Sequence, residues 1–179
     1  KFGKPDPSMM CNGMLAGLVA ITAPSAFVSP IAAFTLGAIA GVIVVFSVFF
    51  FDKMGVDDPV GAISVHGVNG AWGVLCVGLF ANGDYGAGYN GMPTTVTGIM
   101  PISTVSGAQW FSAQGWKQLE AQAIDVCVLV VTGFIISFVL FKITNAIVPL
   151  RVSREVELQG LDIPEMGALG YPDFELKTS

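Results

Sequence analysis

The stretch from Ile31 to Phe51 constrains the fold of this chain more than any other feature, because its 21 residues include no charged side chain. A helix needs about 20 apolar residues to cross the hydrocarbon core of a bilayer, which is roughly 30 Å thick. Backbone polar groups inside that core must be satisfied internally, which a helix achieves within one segment. The stretch therefore predicts a transmembrane helix.

The composition of the whole chain also indicates a membrane protein. Hydrophobic residues make up 53% of the 179 residues and charged residues 12%, whereas soluble domains carry about 25% charged residues. The net charge of −5 disfavours nucleic acid as a partner. The cysteines are widely spaced and there is one histidine, so we expect no disulfide framework and no metal site. Because no nucleophile, acid–base pair or cofactor loop is apparent, we expect neither enzyme activity nor a cofactor.

Three more apolar segments lead us to predict an all-α, polytopic transmembrane bundle. Pro24 interrupts the first segment, because proline breaks a helix interior. The last segment is long enough to be tilted or to project beyond the bilayer. The predicted spans are residues 8–27, 30–51, 58–81 and 116–148 within a membrane domain at 1–150, with an outer loop at 82–115 and a polar tail at 151–179.

The basic residues predict the orientation of these spans. Cytoplasmic loops carry an excess of Lys and Arg, and an alternating arrangement places most basic residues on one side. We therefore expect a multi-pass protein of the cell membrane with its N-terminus, the loop at 52–58 and its C-terminus in the cytoplasm. Because the chain begins without methionine, we also expect it to be a portion of a longer protein. The residues that define the cytoplasmic side are Lys1, Lys4, Lys53, Arg151 and Arg154.

His66 is the first candidate functional residue. If a helix begins at Asp58, the imidazole lies eight residues along it, roughly 12 Å at helical rise, near the middle of the membrane. Ionisable side chains at that depth are usually functional, although a purely structural hydrogen bond remains the alternative. Asn69 is expected to share the face of His66 through its i+3 spacing, and Thr22 lies at depth in the first span. The three form a predicted substrate pathway.

Asp57 and Asp58 are the second candidate feature. The pair could bind a cation at the cytoplasmic mouth of a pathway. Acidic residues also commonly cap helix N-termini, where the backbone N–H groups and the helix dipole favour negative charge. Both interpretations are open from the sequence, and capping is the more common one.

Three motifs together resemble the ammonium transporter family of prokaryotes and plants: Asn12–Thr22, Asp57–Ala62 and Val65–Gly67. The resemblance implies the ammonium-transporter fold, of which this chain would supply the last four of eleven spans. It further implies a homotrimer in a lipid membrane, with one narrow apolar pore for ammonium or ammonia in each subunit. A hydrogen-bonded histidine pair would lie at the pore centre, and His66 would be its second member.

The resemblance extends into the tail. In the family, the tail and cytoplasmic loops bind a PII-type signalling protein that blocks the pore, so matching residues here are candidates for tail packing or regulation. A solvated charged tail is the alternative. The matching tail residues are Arg151, Glu155, Gly160, Leu161 and Asp162.

Two rival functions are an ammonium sensor, which signals through an added domain, and a transporter of another amine or of carbon dioxide.

Overall fold

A computed structural model describes residues 3–91, 94–102 and 109–170 of the chain. In these ranges the secondary structure is helical and contains no β-strand, apart from one isolated bridge between Asn82 and Thr97. Three helices are long and apolar enough to cross a membrane: Pro30–Met54, Ile63–Phe80 and Ala113–Ile147. The predicted all-α transmembrane class is confirmed.

The chain divides into two compact units, Lys1–Val130 and Val131–Ser179. The first unit contains helix α1 (Pro7–Thr22), helix α2 (Pro30–Met54), a π-helical segment (Ile63–Val68) and helix α3 (Asn69–Phe80). Helix α4 (Ala113–Ile147) begins in the first unit. The second unit contains the remainder of α4 and two short helices, α5 (Arg154–Gln159) and α6 (Asp162–Met166).

Helices α1 and α2 begin in the same way. Asp6 accepts a hydrogen bond from the Met9 backbone N–H at 3.1 Å, and Ser29 accepts one from Ala32 at 3.3 Å. Each cap is followed by a proline in the first helical turn, where the missing N–H removes no hydrogen bond. The caps explain why α1 begins at Pro7 and α2 at Pro30.

Helix α1 is shorter than the predicted span at 8–27. It ends at Thr22 and has 16 residues, or about 24 Å at helical rise. Pro24 follows two residues later, and the chain turns there through a 2.8 Å hydrogen bond from the Phe27 N–H to the Pro24 carbonyl. Proline has no backbone N–H to continue the helical hydrogen bonds, so the helix ends just before it, although Ala23 still has helical dihedral angles.

The third span begins later than the predicted residue 58. Gly61 has a φ of +73°, a left-handed conformation that interrupts a right-handed helix and favours glycine. The helix starts only after this turn, with the π-helical segment at Ile63–Val68. The estimate of a 12 Å depth for His66 assumed an unbroken helix from Asp58, so the turn removes its basis.

Close contacts between small residues hold α1, α2 and α3 together. A Cβ atom added to Gly73 on α3 would collide with the carbonyl oxygen of Ala20 on α1, and one added to Gly17 would lie 3.8 Å from the carbonyl oxygen of Gly37 on α2. Small residues at such positions allow helix backbones to approach closely in membranes. The fully buried alanines of this interface are Ala16, Ala20, Ala32 and Ala40.

The segment after α3 folds back onto the end of that helix. Ile99 and Met100 donate backbone hydrogen bonds to Gly78 and Leu79 at 2.9 and 2.8 Å. A Cβ atom added to Gly78 would lie 2.6 Å from the Cα atom of Leu119, so the start of α4 packs closely against α3. These contacts hold the segment and the start of α4 against the C-terminal end of α3.

Candidate functional site: the π-helical segment around His66

Asp58 fixes the start of the π-helical segment. One carboxylate oxygen accepts the Ala62 N–H at 2.8 Å and the other accepts the Ile63 N–H at 3.0 Å. Both N–H groups belong to the first turn, whose N–H groups have no carbonyl partner within the helix. The side chain therefore acts as a cap, although it lies four and five residues before the N–H groups that it binds.

The turn at Gly61 makes this geometry available. Gly61 is buried, and a Cβ atom there would lie 2.7 Å from Asn12 Nδ2 and 3.3 Å from Val48 Cγ2. Its left-handed backbone and the lack of a side chain let the chain bend back toward Asp58 against α1 and α2. The backbone N–H of Gly61 also donates to the Asp58 carbonyl at 3.0 Å.

Some side chains of the π-helical segment are buried in the protein interior and others are exposed. Ser64 and Val65 are buried, whereas His66 and Gly67 are exposed in the part of the chain that the structure describes. A π-helix bonds residue i to residue i+5 and has a wider turn than an α-helix. The exposed imidazole of His66 therefore lies on the side of this membrane-spanning helix that faces away from the described part of the protein.

Asn69 does not share that face, which corrects the expectation from its i+3 spacing. Its side chain is 0% exposed. Because the preceding turn is wider than that of an α-helix, three residues no longer bring the chain back to the same side. Asn69 Nδ2 donates to the Ser64 carbonyl at 2.8 Å, and the Asn69 backbone N–H donates to the His66 carbonyl.

Two further features surround this asparagine. Its Oδ1 atom is buried and has no hydrogen-bond partner among the described residues, which typically costs about 1–3 kcal/mol. Ser47 on α2 donates its hydroxyl to Ser64 Oγ at 3.0 Å, and both serines are buried. The sequence alone does not reveal this contact between Ser47 and Ser64, although a serine within the otherwise apolar end of α2 is a visible signal of a polar contact.

Thr22 and Asp57 are two further candidate residues of the first unit. Thr22 is exposed and donates its hydroxyl to the Leu18 carbonyl at 3.0 Å, within its own helix. Asp57 is exposed and, with Asp6, Asp52 and Asp58, lines a cavity of about 320 Å³. The carboxylates make this cavity negative. Among the described residues, no three His, Cys, Asp or Glu side chains form a group able to hold a metal ion.

Asp58→Ala is expected to destabilise the first unit by about 0.5–2 kcal/mol, the usual effect of losing a helix cap. Two N–H groups at the start of the span would lose their acceptor. Thermal unfolding of the detergent-solubilised protein measures the effect. Asp57→Ala, which removes the neighbouring carboxylate but leaves both bonds in place, is the matched control. Equal melting temperatures for the two variants would contradict the role of Asp58 as a cap.

The first part of the tail is a short capped helix. Ser153 Oγ accepts the Val156 N–H at 3.4 Å at the start of α5, and Arg151 pairs with Glu157 at 2.7 Å. The paired side chains are 71% and 49% exposed, so solvent screening leaves the pair worth about 0–1 kcal/mol. Hydrogen bonds from the backbone N–H of Glu155 and from the Ser153 hydroxyl lower the pKa of the Glu155 carboxyl below its usual value.

The second part of the tail contains Gly160, Leu161 and Asp162. Gly160 ends α5 with φ and ψ of +99° and 153°, a region that side chains rarely adopt. Leu161 is 46% exposed. Asp162 begins α6 and accepts the Gly170 N–H at 2.9 Å. The candidate tail residues thus lie in and beside two short helices that are themselves exposed.

Ser153→Ala is expected to raise the pKa of Glu155 toward its ordinary value of 4.5, because one of the hydrogen bonds to the carboxylate is lost. In the native protein, the depressed pKa stabilises α5 above pH 4.5, and this contribution disappears as the pH falls through the lower folded pKa. Carbon-13 NMR titration of the Glu155 carboxyl measures this pKa in both proteins. Ser153→Thr keeps a hydroxyl and serves as the control; identical titrations for Ser153→Ala and native protein would refute the assignment.

Known proteins resemble this chain along almost its whole length. The model of the Ammonium Transporter Family matches residues 1–171. The chain belongs to this family. It is 42% identical over 172 residues to "Ammonium transporter Amt2" of Archaeoglobus fulgidus, covering 96% of this chain and 34% of that protein. It is 34% identical to "Ammonium transporter" of Bacillus subtilis over 172 residues, covering 95% of this chain and 38% of that protein.

A solved structure supports the family fold. The structure named "Sensor Amt Protein" matches with a TM-score of 0.68 and 32% identity, covering 92% of this chain and 36% of that one. The ammonium-transporter fold predicted for the chain is therefore confirmed. The chain spans about a third of the length of these family members.

Proposed function

We propose that the protein carries ammonium or ammonia across a membrane through a mostly apolar pore in which His66 is a central polar group. The observation that carries the proposal is the exposed imidazole of His66 on a membrane-spanning helix of a family member. An ionisable side chain in a transmembrane helix normally marks a substrate or proton pathway. In relatives about three times as long as this chain, further helices are available to close a pore over this face.

An apolar pore favours the neutral form of the substrate. Burying an isolated ammonium ion costs far more than burying ammonia, so the ion is expected to give up its proton before it crosses. Potassium has no proton to give up and is rejected. The proposed partner of His66 is a second histidine outside this chain, which would share a hydrogen bond with it. Thr22 is a proposed polar contact along the same pathway, since its side chain is exposed on α1.

The proposed assembly is a homotrimer with one pore per subunit and a cytoplasmic C-terminus. The orientation is supported by the Lys and Arg residues that flank one side of the spans, as expected for cytoplasmic loops. The tail residues are proposed to contact a PII-type regulator, supported by the exposure of both short tail helices. Asp57 is proposed to add negative charge at the cytoplasmic mouth, beside the cavity that it lines.

Reconstitution tests the proposed transport directly. Purified full-length protein in liposomes should pass ammonium down its gradient, recorded as a change of internal pH with an enclosed dye, and should pass no potassium. Protein-free liposomes give the background. A flux no faster than this background would overturn the proposal.

A second candidate is an ammonium sensor, which the likeness to the structure named "Sensor Amt Protein" favours. A sensor binds ammonium and signals the occupancy to a partner. Calorimetric titration of the same full-length protein distinguishes the two candidates, because a sensor shows saturable ammonium binding in the absence of flux.

A further inference from the structure

We infer that Asn69 is a positioning residue for His66. Its hydrogen bonds hold the π-helical turn that carries the imidazole of His66. The inference rests on the proposed function of His66 in the pore. In this role Asn69 supports the turn from within the protein interior and does not contact the substrate, because its side chain is 0% exposed.

The hydrogen bonds of Asn69 match the pattern of a π-helix in an unusual way. In such a helix, the N–H of residue i+5 binds the carbonyl of residue i, and Asn69 is the fifth residue after Ser64. The side-chain amide of Asn69 makes this bond at 2.8 Å, while the backbone N–H binds the carbonyl of His66. One residue therefore holds the carbonyl of His66 and the carbonyl two residues before it.

A second contact anchors the same turn to a neighbouring helix. Ser47 on α2 donates to Ser64 Oγ at 3.0 Å, and the Ser64 carbonyl is the acceptor for Asn69. Buried networks of this kind specify one local arrangement, since a shift of any member leaves a buried polar group without a partner. Ser47, Ser64 and Asn69 thus form a network beneath His66, which lies on the opposite, exposed side of the turn.

The unpaired oxygen of Asn69 indicates that packing alone does not explain the residue. An apolar side chain of similar size would fill the site without burying an acceptor that has no partner among the described residues. An unsatisfied buried group calls for a specific explanation. The bond from Nδ2 to Ser64 supplies one, because no apolar side chain could hold that carbonyl.

The expected consequence concerns the position of the imidazole. A displacement of a reacting group by about 1 Å can cost a factor of about 100 in rate. We therefore expect Asn69→Leu, which keeps the branched shape and the number of side-chain heavy atoms but no polar atom, to lower the ammonium flux at least about tenfold and to shift its pH profile, by relaxing the turn under His66.

The experiment compares variants of the full-length protein in liposomes. Asn69→Leu removes both polar atoms of the amide, and Ser47→Ala removes one hydroxyl from the same network. Trp72→Phe is the matched control, because it deletes another interhelical hydrogen bond, a partly buried one from Trp72 Nε1 to the Leu36 carbonyl at 3.2 Å. Modification of His66 by diethyl pyrocarbonate, followed by mass spectrometry, reports the accessibility of the imidazole without requiring any flux.

The expected result is a lower flux, a shifted pH profile and an altered rate of His66 modification for Asn69→Leu, with smaller changes of the same kind for Ser47→Ala and none for Trp72→Phe. If Asn69→Leu does not fold, the Ser47→Ala variant alone tests the inference. Native flux, pH profile and modification rate in the folded network variants would overturn the inference while leaving the proposed function intact. If the native protein shows no flux, the proposed function fails, and the modification rate still decides whether Asn69 positions His66.

Discussion

Replacing His66 with alanine is expected to lower the ammonium flux of the reconstituted protein about tenfold or more. Under the proposed function, the imidazole would offer the substrate in a dry pore a hydrogen bond that an alanine cannot replace. Losing a hydrogen-bond partner in a dry site costs about 1–3 kcal/mol, and each 1.36 kcal/mol corresponds to roughly a factor of ten in rate, so the middle of this range is roughly a thirtyfold loss. The initial rate of the internal pH change in liposomes measures the effect.

Two companion variants define what His66 does. Ile63→Ala changes an exposed apolar side chain of the same segment and is expected to keep the native rate. His66→Gln can form hydrogen bonds but cannot carry a proton at neutral pH. Native flux in His66→Gln assigns hydrogen bonding to the residue, whereas a loss equal to that of His66→Ala assigns proton transfer. Native flux and potassium rejection in His66→Ala would remove His66 from the pathway.

Gly73→Ala is expected to destabilise the first unit by about 1–3 kcal/mol or more, the usual range for overpacking. The added methyl group would overlap the carbonyl oxygen of Ala20 and lie 3.0 Å from its Cα atom. These are backbone atoms of α1, so no side chain can rotate away, and the two helices must separate. The apparent melting temperature in detergent, followed by tryptophan fluorescence, reports the loss.

Gly70→Ala provides a control on the same helix. Its Cβ atom would lie 3.9 Å from Val19 Cγ1 on α1, an ordinary van der Waals distance. Alanine is favoured over glycine in a helix interior by about 0.5–1 kcal/mol, so this variant should be as stable as the native protein or slightly more so. A melting temperature for Gly73→Ala that equals that of Gly70→Ala would show that the close approach of α1 and α3 does not matter.

The sequence predicts the helices better than it predicts where they stop. Long apolar runs reveal α2 and α4, because hydrophobicity over about 20 residues is a property of the segment alone. The end of α1 at Thr22 and the late start of the third span depend on single residues, Pro24 and Gly61. The left-handed backbone of Gly61 is fixed by its packing against Asn12, a contact between residues far apart in the chain that no local pattern displays.

The candidate site shows the same limit. The sequence makes His66 a candidate, since one histidine within an apolar helix stands out. It misplaces Asn69, because the i+3 rule assumes an α-helical turn and Ile63–Val68 is π-helical. The sequence also does not predict the hydrogen bond between Ser47 and Ser64, although both residues are visibly polar. Their 3.0 Å contact joins two different helices. Contacts of this kind become apparent only once the helices are packed.

The close approach of Gly73 on α3 to Ala20 on α1 has a consequence for how solutes would move. Helices in backbone contact at small residues cannot slide without collisions, so we expect α1 and α3 to behave as a fixed wall. A fixed wall suits passive permeation, in which the solute travels and the protein stays still, better than a cycle of opening and closing. Under the proposed function, the energetic barrier to permeation would therefore come from stripping the solute of its water and its proton.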